Sequence, residues 1–364
     1  MIKRKIKKTV RIGNVTIGGN YPVLIQSMTN TKTHDIEGTV LQIKRLTDAG
    51  CQAVRVTVPD SRSVEAFGEI KKQIEIPLIA DIHFDYKLAV SVIKNGADKI
   101  RINPGNIGGI EKVKAVADTA GEYGIPIRIG VNSGSLEKEV LNKYKRVTPE
   151  AMNDSLGKYI AMFENLGFNN LVLSLKASDP VLNFKANELA SDMFEYPLHI
   201  GVTEAGTFLS ATVKSAVGIG ALLLHGIGDT IRVSISGDPV REISAAWEIL
   251  NACNLVDHGV DVIACPTCGR TNINVEEIAD YIKSQNYKTS QRIKVAVMGC
   301  EVNGPGEAKE ADLGIAGGKK DALLFFKGKP AKKIDYANIK QTLHEEILKY
   351  TNEGDFSEGQ DHSE

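Results

Sequence analysis

"KIRINPGNIGGIEKVKAVADTAGEYGIPIRIGVN", Lys99–Asn132, contains one repeat of the pattern that decides the fold. A short β-branched run, "KIRI", ends in small polar residues and a glycine-rich turn. A helical stretch follows, "GIEKVKAVADTAGEYG", with Gly at its C-terminal end, and "PIRIGVN" opens the next β-branched run. Branched residues favour strands and a terminal Gly stops a helix, so the segment reads as strand, helix, strand.

Outward from this unit the pattern repeats from Pro22 to about Asn254. Strands are predicted at "VLIQSMT" (23–29), "AVRVTVP" (53–59), "LIADIHF" (78–84), "KIRINPG" (99–105), "PIRIGVN" (126–132), "LVLSLKAS" (171–178), "LHIGVTEAG" (198–206) and "TIRVSISG" (230–237). Helical stretches such as "VLQIKRLTDAG" separate them. Eight strand-then-helix units over this length predict an α/β fold, a closed (β/α)8 barrel of the TIM type. An open doubly wound sheet is the alternative, but no G-x-G-x-x-G follows the first strand. Before the barrel, "TVRIGNVTIGG" alternates in period two around Gly-Asn, which predicts a hairpin covering the barrel's bottom. The barrel with its hairpin is assigned to residues 1–257.

After Asp257 the pattern changes. "NVEEIADYIKSQ" reads as a helix, "RIKVAVMG", "DLGIAGG" and "DALLFFKG" as strands, and "YANIKQTLHEEILKY" as a closing helix. These make a small α+β domain, 258–350. The tail 351–364 is acidic and poor in anything to bury, which predicts disorder.

The 364 residues carry a formal net charge of -1, with 42% apolar and 24% charged residues. That balance points to neither nucleic acid nor an anionic membrane. No apolar run approaches the ~18 residues of a membrane span. "MIKRKIKKTV" is basic without an apolar region behind it, so it does not read as a secretory signal, and a cytoplasmic protein is expected. Five cysteines in a reducing compartment argue against a disulfide framework. Cys51 and Cys253 lie in contexts that suit small buried apolar residues.

"RVTV", "RINP", "RIGV" and "RVSI" place Arg55, Arg101, Arg128 and Arg232 at similar points of four strands, and "SLKAS" adds Lys176. Side chains two apart share a face, so the arginines align with Thr57, Asn103, Gly130 and Ser234. Small polar partners suggest the barrel interior near its C-terminal mouth. Pairing with Asp81 and Glu204 would satisfy only part of this charge, and unpaired buried charge is costly. A multiply anionic ligand, most simply a diphosphate, resolves the excess. Ser236, in "SGDPV", opens a helix whose amides would face the mouth, and "NPGNIGG" offers a second glycine-rich loop. His83 and Glu204 lie at strand ends, where barrels carry catalytic groups, as do Asn132, Ser174 and Thr203.

"CPTCGR" (265–270) and "MGCEVNGPGE" (298–307) bring together Cys265, Cys268 and Cys300. A redox C-x-x-C needs no third cysteine, and structural zinc normally takes a fourth Cys or His at short spacing. The nearest histidines are His258 and His344. Glycines around Cys300 permit close backbone approach and free amides toward sulfur. A four-iron cluster on three thiolates, with one iron under another ligand, fits better than zinc. Glu301 and Glu307 are the nearest carboxylates. A cluster with one exchangeable ligand can act as Lewis acid and electron donor.

Together with "QSMTNT", "DIHF", "RINPGN", "RIGVNSGSL" and "TEAG", these motifs resemble the 4-hydroxy-3-methylbut-2-en-1-yl diphosphate synthase family, in its bacterial two-domain form. The resemblance covers residues 1–350. It implies an iron–sulfur oxidoreductase of the non-mevalonate isoprenoid pathway, which reductively opens and dehydrates 2-C-methyl-D-erythritol 2,4-cyclodiphosphate. It implies a 4Fe–4S cluster on Cys265, Cys268, Cys300 and Glu307, and reduced flavodoxin or ferredoxin as electron donor. A homodimer is also implied, in which one subunit's cluster domain covers the other's barrel mouth. Arg55, Arg101, Asn103, Arg128, Asn132, Lys176, Arg232, Ser234 and Ser236 are then the expected diphosphate-binding residues. Glu204 is the expected proton donor, and His83 is expected to orient the substrate. Two other classes compete. A zinc-stapled barrel transferase, like the pterin-binding synthases, would be colourless, and an iron–sulfur redox sensor would have no use for five barrel cations.

Overall fold

The computed structural model describes residues 2–285, 287, 289, 291–301 and 308–352. Glu307, and the predicted tail from residue 353 onward, lie outside the described residues. Two compact units divide the chain, Met1–Leu255 and Val256–Glu364.

The first unit opens with strands β1 (Val10–Ile12) and β2 (Val15–Ile17), paired antiparallel. Eight parallel strands follow: β3 (Leu24–Met28), β4 (Ala53–Thr57), β5 (Leu78–Asp81), β6 (Lys99–Ile102), β7 (Ile127–Asn132), β8 (Leu171–Lys176), β9 (His199–Ile200) and β10 (Thr230–Ile231). They hydrogen-bond in the order β8-β7-β6-β5-β4-β3-β10-β9. A parallel bridge between Leu173 and Leu198 joins β8 to the approach to β9 and completes the ring. The barrel is therefore closed, not an open sheet.

At the barrel's bottom, Val10, Ile12 and Ile17 of the hairpin pack with Leu24, Ala53, Ile79 and Val172, all buried. Each large aliphatic chain so removed from water contributes about 2 kcal/mol. The helices obey the expected capping chemistry. Asp35 accepts from the Gly38 amide, Asp60 from Ser63, Thr148 from Ala151 and Asp179 from Leu182.

The strands are shorter than their β-branched runs suggest, and in six of the eight the difference falls wholly or mainly at the C-terminal end. β9 and β10 contain only two residues each, so Glu204, Arg232, Ser234 and Ser236 stand on the loops beyond them.

The second unit is a five-stranded sheet in the order β11 (Gly259–Ala264), β12 (Arg292–Met298), β13 (Leu313–Gly317), β14 (Ala322–Phe326), β15 (Lys329–Ile334). The first three strands run parallel and the last two antiparallel. Ile278 and Ile282 of the helix Val275–Ser284, with Leu343 and Ile347 of the helix Ile339–Asn352, bury the sheet's Val295, Val297, Ile315 and Leu324. Two of these strands have no counterpart in the sequence reading, β11 and β15. Both are edges; "KPAKKI" shows all but its last residue to solvent and carries no strong apolar pattern, while "GVDVIA" is only half-buried, with Asp261 interrupting its branched residues.

Candidate functional site

Side chains from seven of the barrel strands and the loops beyond them converge on the mouth. A cavity of about 210 Å³ is lined by Arg55, Arg101, Arg128, Lys176 and Arg232 together with Asp81, His83, Asn132, Ser174, Thr203 and Ser234. Strand alternation delivers them. Arg101 pairs in register with Asp81 on one side and Arg128 on the other, and Asn132 pairs with Lys176. Glycine makes room for the long side chains. A Cβ on Gly130 would lie 2.9 Å from Arg101 Nε, and one on Gly201 would lie 2.9 Å from Lys176 Nζ.

Two acids hold three of the five cations. Asp81 accepts from Arg101 Nη1 at 3.1 Å and stands 3.6 Å from Arg55 Nε and 3.7 Å from His83 Nε2. Burial opposes its ionisation, yet Arg55, His83 and Arg101 hold its carboxyl well below the usual range. Glu242, in the first turn of the helix Val240–Ala252, takes Arg232 in a bidentate pair at 3.1 and 2.9 Å. It also accepts from Ser27 Oγ at 2.8 Å and from the Ile235 amide at 3.1 Å. Met28 Sδ accepts from Arg55 Nη2 at 3.0 Å and Arg232 Nη1 at 3.5 Å.

Arg128 and Lys176 have no ion pair among the described residues. Arg128 is 1% exposed, and its Nε and Nη1 have no hydrogen-bond partner among the described residues. Burial, reinforced by the neighbouring arginines, pushes both groups well below their ordinary values. Such a constellation is strained when empty and is relieved by an anion carrying several acceptor oxygens.

Three expected residues stand elsewhere. Asn103 is buried and spends its Oδ1 on the Gly105 amide, 3.2 Å away. Ser236 is exposed on its loop, with its amide donated to Gly206. Glu204 is exposed, does not line the cavity and has a left-handed backbone, φ +53°. It forms no ion pair with the mouth arginines among the described residues; Glu242 takes that place. Nor is the helix amide of Val240 open toward an anion, because Asp238 Oδ1 accepts from it at 3.1 Å. Glu242 escaped the sequence reading because an acid in a first helical turn is ordinarily a solvated dipole partner.

The cysteines follow the ends of two adjacent parallel strands. β11 and β12 pair through Ala264 and Val297; Cys265 comes next after β11, and Cys300 follows β12. Cys265 donates its amide to Val297 O at 3.1 Å, and its Sγ accepts from the Gly299 amide at 3.1 Å. The Cys268 amide donates to Thr271 Oγ1 at 3.0 Å, and the Asn272 amide to Gly299 O at 2.8 Å, which ties the two motif loops together. Cys300 is buried, Cys265 half-buried and Cys268 exposed. Among the described residues no three Cys, His, Asp or Glu side chains are grouped to hold one metal ion. A polynuclear cluster spreads its ligands wider than a single ion does. Three soft donors, one already receiving an N–H···S bond, suit iron–sulfur ligation.

Residues 7–247 match the family model described as the GcpE TIM-barrel domain, and residues 261–349 match the GcpE protein C-terminal domain. This chain belongs to the GcpE family. Similar GcpE relatives include a protein of Caldanaerobacter subterraneus subsp. tengcongensis, 56% identical over 97% of this chain and 100% of its own length. One from Ruminiclostridium cellulolyticum is 53% identical over 95% and 98%, and one from Geobacillus thermodenitrificans 54% over 97% and 94%. All three are named 4-hydroxy-3-methylbut-2-en-1-yl diphosphate synthase (flavodoxin). No helix among the described residues is long and apolar enough to cross a membrane.

Proposed function

We propose that this chain is an iron–sulfur oxidoreductase that converts 2-C-methyl-D-erythritol 2,4-cyclodiphosphate to 4-hydroxy-3-methylbut-2-enyl diphosphate, with two electrons drawn from reduced flavodoxin. The observation that carries the reading is a buried cationic mouth, with Arg128 and Lys176 lacking acids, in a chain that also holds three cysteines at neighbouring strand ends. The zinc-stapled transferase accounts for neither the relatives' names nor the cysteine set.

Cys265, Cys268 and Cys300 would hold a 4Fe–4S cluster, with Glu307 as the proposed fourth ligand. When bound, the cluster supplies electrons and a Lewis-acidic iron. The protein's own groups do the rest. Arg128 and Lys176 bind the diphosphate with charge that no acid neutralises, while Arg55, Arg101 and Arg232 are oriented by Asp81 and Glu242. Asn132 and Ser234 line the same cavity and add neutral hydrogen-bonding groups. Fixing the anion positions the carbon skeleton and spends binding energy on orientation. His83, held toward Asp81, orients the substrate, and Glu204, brought to the cavity by a change in its loop, donates the proton to the departing hydroxyl. Asn103 and Ser236 are kept as ligands that join through a change in their loops.

A homodimer belongs to the same reading. The helix Phe208–Leu224 shows Leu209, Val213, Val217 and Leu224 to solvent, each more than half exposed. A second copy of the chain is the proposed cover.

The test is an anaerobic determination of iron, sulfide and zinc, followed by turnover of the cyclic diphosphate with reduced flavodoxin. About four irons and four sulfides per chain, with a brown colour bleached by dithionite, is the expected result. Zinc at about one per chain with no turnover after reconstitution would sink the reading.

A further inference from the structure

Below the cationic mouth the barrel holds a second set of basic groups. Lys99 lies on β6 two residues before Arg101, so its side chain enters the lumen one level deeper. It is 0% exposed, and its Nζ has no hydrogen-bond partner among the described residues. His199, on β9, is also fully buried. Its Nδ1 meets Thr230 Oγ1 at 2.5 Å, and its Nε2 has no hydrogen-bond partner among the described residues.

The charged and titratable groups facing this level can be named strand by strand. They are Arg55 on β4, Asp81 on β5, Arg101 on β6, Arg128 on β7, Lys176 on β8, His199 on β9, Arg232 past β10 and Glu242 from its helix, with Asp98 and Asp229 just before β6 and β10 at the lower strand ends. All four acids are committed, Asp81 to Arg55 and Arg101, Glu242 to Arg232, Asp98 to Lys71 and Asp229 to Arg4. Nothing anionic among the described residues remains to hold a charged Lys99 amine. Burial, then the repulsion of Arg128 and Arg55, drives it well below the ordinary lysine value. His199 is shifted the same way by burial and by Arg128, Lys176, Lys99 and Arg55.

We propose that Lys99 is the proton-accepting group of this pocket: neutral while the mouth is empty, it takes one proton from solvent when a diphosphate-class anion enters above it. The step adds one proton to one amine lone pair and moves no electrons. Geometry supplies the reason. An anion over Arg101 and Arg128 cancels the repulsion that kept the amine neutral, in a medium where charges act strongly over short distances. Binding and protonation are then linked, so affinity for the anion falls as pH rises. This inference rests on the reading of the mouth as a diphosphate site.

Calorimetric titration of the full protein with inorganic pyrophosphate, in buffers of different ionisation enthalpy at pH 8, measures the protons taken up. Wild type should take up about one proton more per site than Lys99→Met, since pyrophosphate's own protonation is common to both and cancels. Equal uptake would overturn the proposal and leave the diphosphate site standing. No pyrophosphate binding by wild type would overturn both. Should Lys99→Met fail to fold, wild type labelled with 13C at lysine Cε answers the same question. Two lysine resonances, those of Lys99 and Lys176, should move from the neutral-amine to the ammonium position on adding pyrophosphate, and movement confined to the resonance that Lys176→Arg removes would refute the idea.

Discussion

At the scale of single residues the mouth is a problem of unequal charge, and two variants measure it. Glu204→Gln should leave iron content, visible spectrum and fold intact while lowering turnover at least a hundredfold, the usual share of a general acid. Turnover within threefold of wild type would remove Glu204 from the chemistry. The buried lysines also set a pH dependence for stability. Lys99 and Lys176 are shifted well below the unfolded lysine value, so on the acid side of that value, up to about pH 9, the unfolded chain binds more protons than the folded one. Stability of the ligand-free protein should therefore rise with pH through that window, by up to about 1.4 kcal/mol per proton difference per pH unit. Above it Cys51, whose thiol burial pushes up to about 12, acts in the opposite sense. Urea denaturation at stepped pH, repeated on Lys99→Gln, checks the sign, and a flat wild-type profile would contradict it. The sequence displayed the five cations because they recur at matching strand positions. It concealed Glu242 and Lys99, whose roles depend on burial from two directions at once. "DPVRE" reads as a solvated helix start and "DKIRI" as a strand with a lysine at its solvent end.

At the scale of elements, legibility followed apolar content. All eight barrel strands stand inside their β-branched runs, because parallel strands buried on both faces spell themselves in branched residues. Their C-terminal limits did not, since "VTEAG" and "VSISG" continue in strand-forming residues after hydrogen bonding has stopped. β15 was illegible for the reason that makes it an edge, since lysines guard it, and the branched residues of β11 were passed over because Asp261 interrupts them. The helix Phe208–Leu224 departs from amphipathic expectation in the other direction, apolar on its outward face as well. Val213→Glu should convert a dimer to a monomer in sedimentation velocity without lowering the melting temperature of the isolated subunit. A wild-type monomer at micromolar concentration would dismiss the stripe as an interface.

For the whole molecule, the two units have separate apolar cores, one in the barrel and one between sheet and helices. A single unfolding temperature is therefore a poor description of it. Differential scanning calorimetry with pyrophosphate at a hundred times its dissociation constant should raise the barrel's transition, by about 2.7 kcal/mol in stability. The transition of the cysteine unit should stay where it was. A uniform shift of all heat absorption would show that the units melt as one body.

The hairpin at the barrel's foot has a consequence for speed. Because Val10, Ile12 and Ile17 stop the lower end with hydrocarbon, the barrel is a cup with a single opening. Field lines from its uncompensated cations leave through that opening and gather anions from a wide solid angle, despite a net charge of only -1 on the chain. The rate of encounter with a polyanion should accordingly exceed that with a neutral molecule of equal size. It should fall steeply between low and physiological ionic strength, as screening shortens the reach of that field.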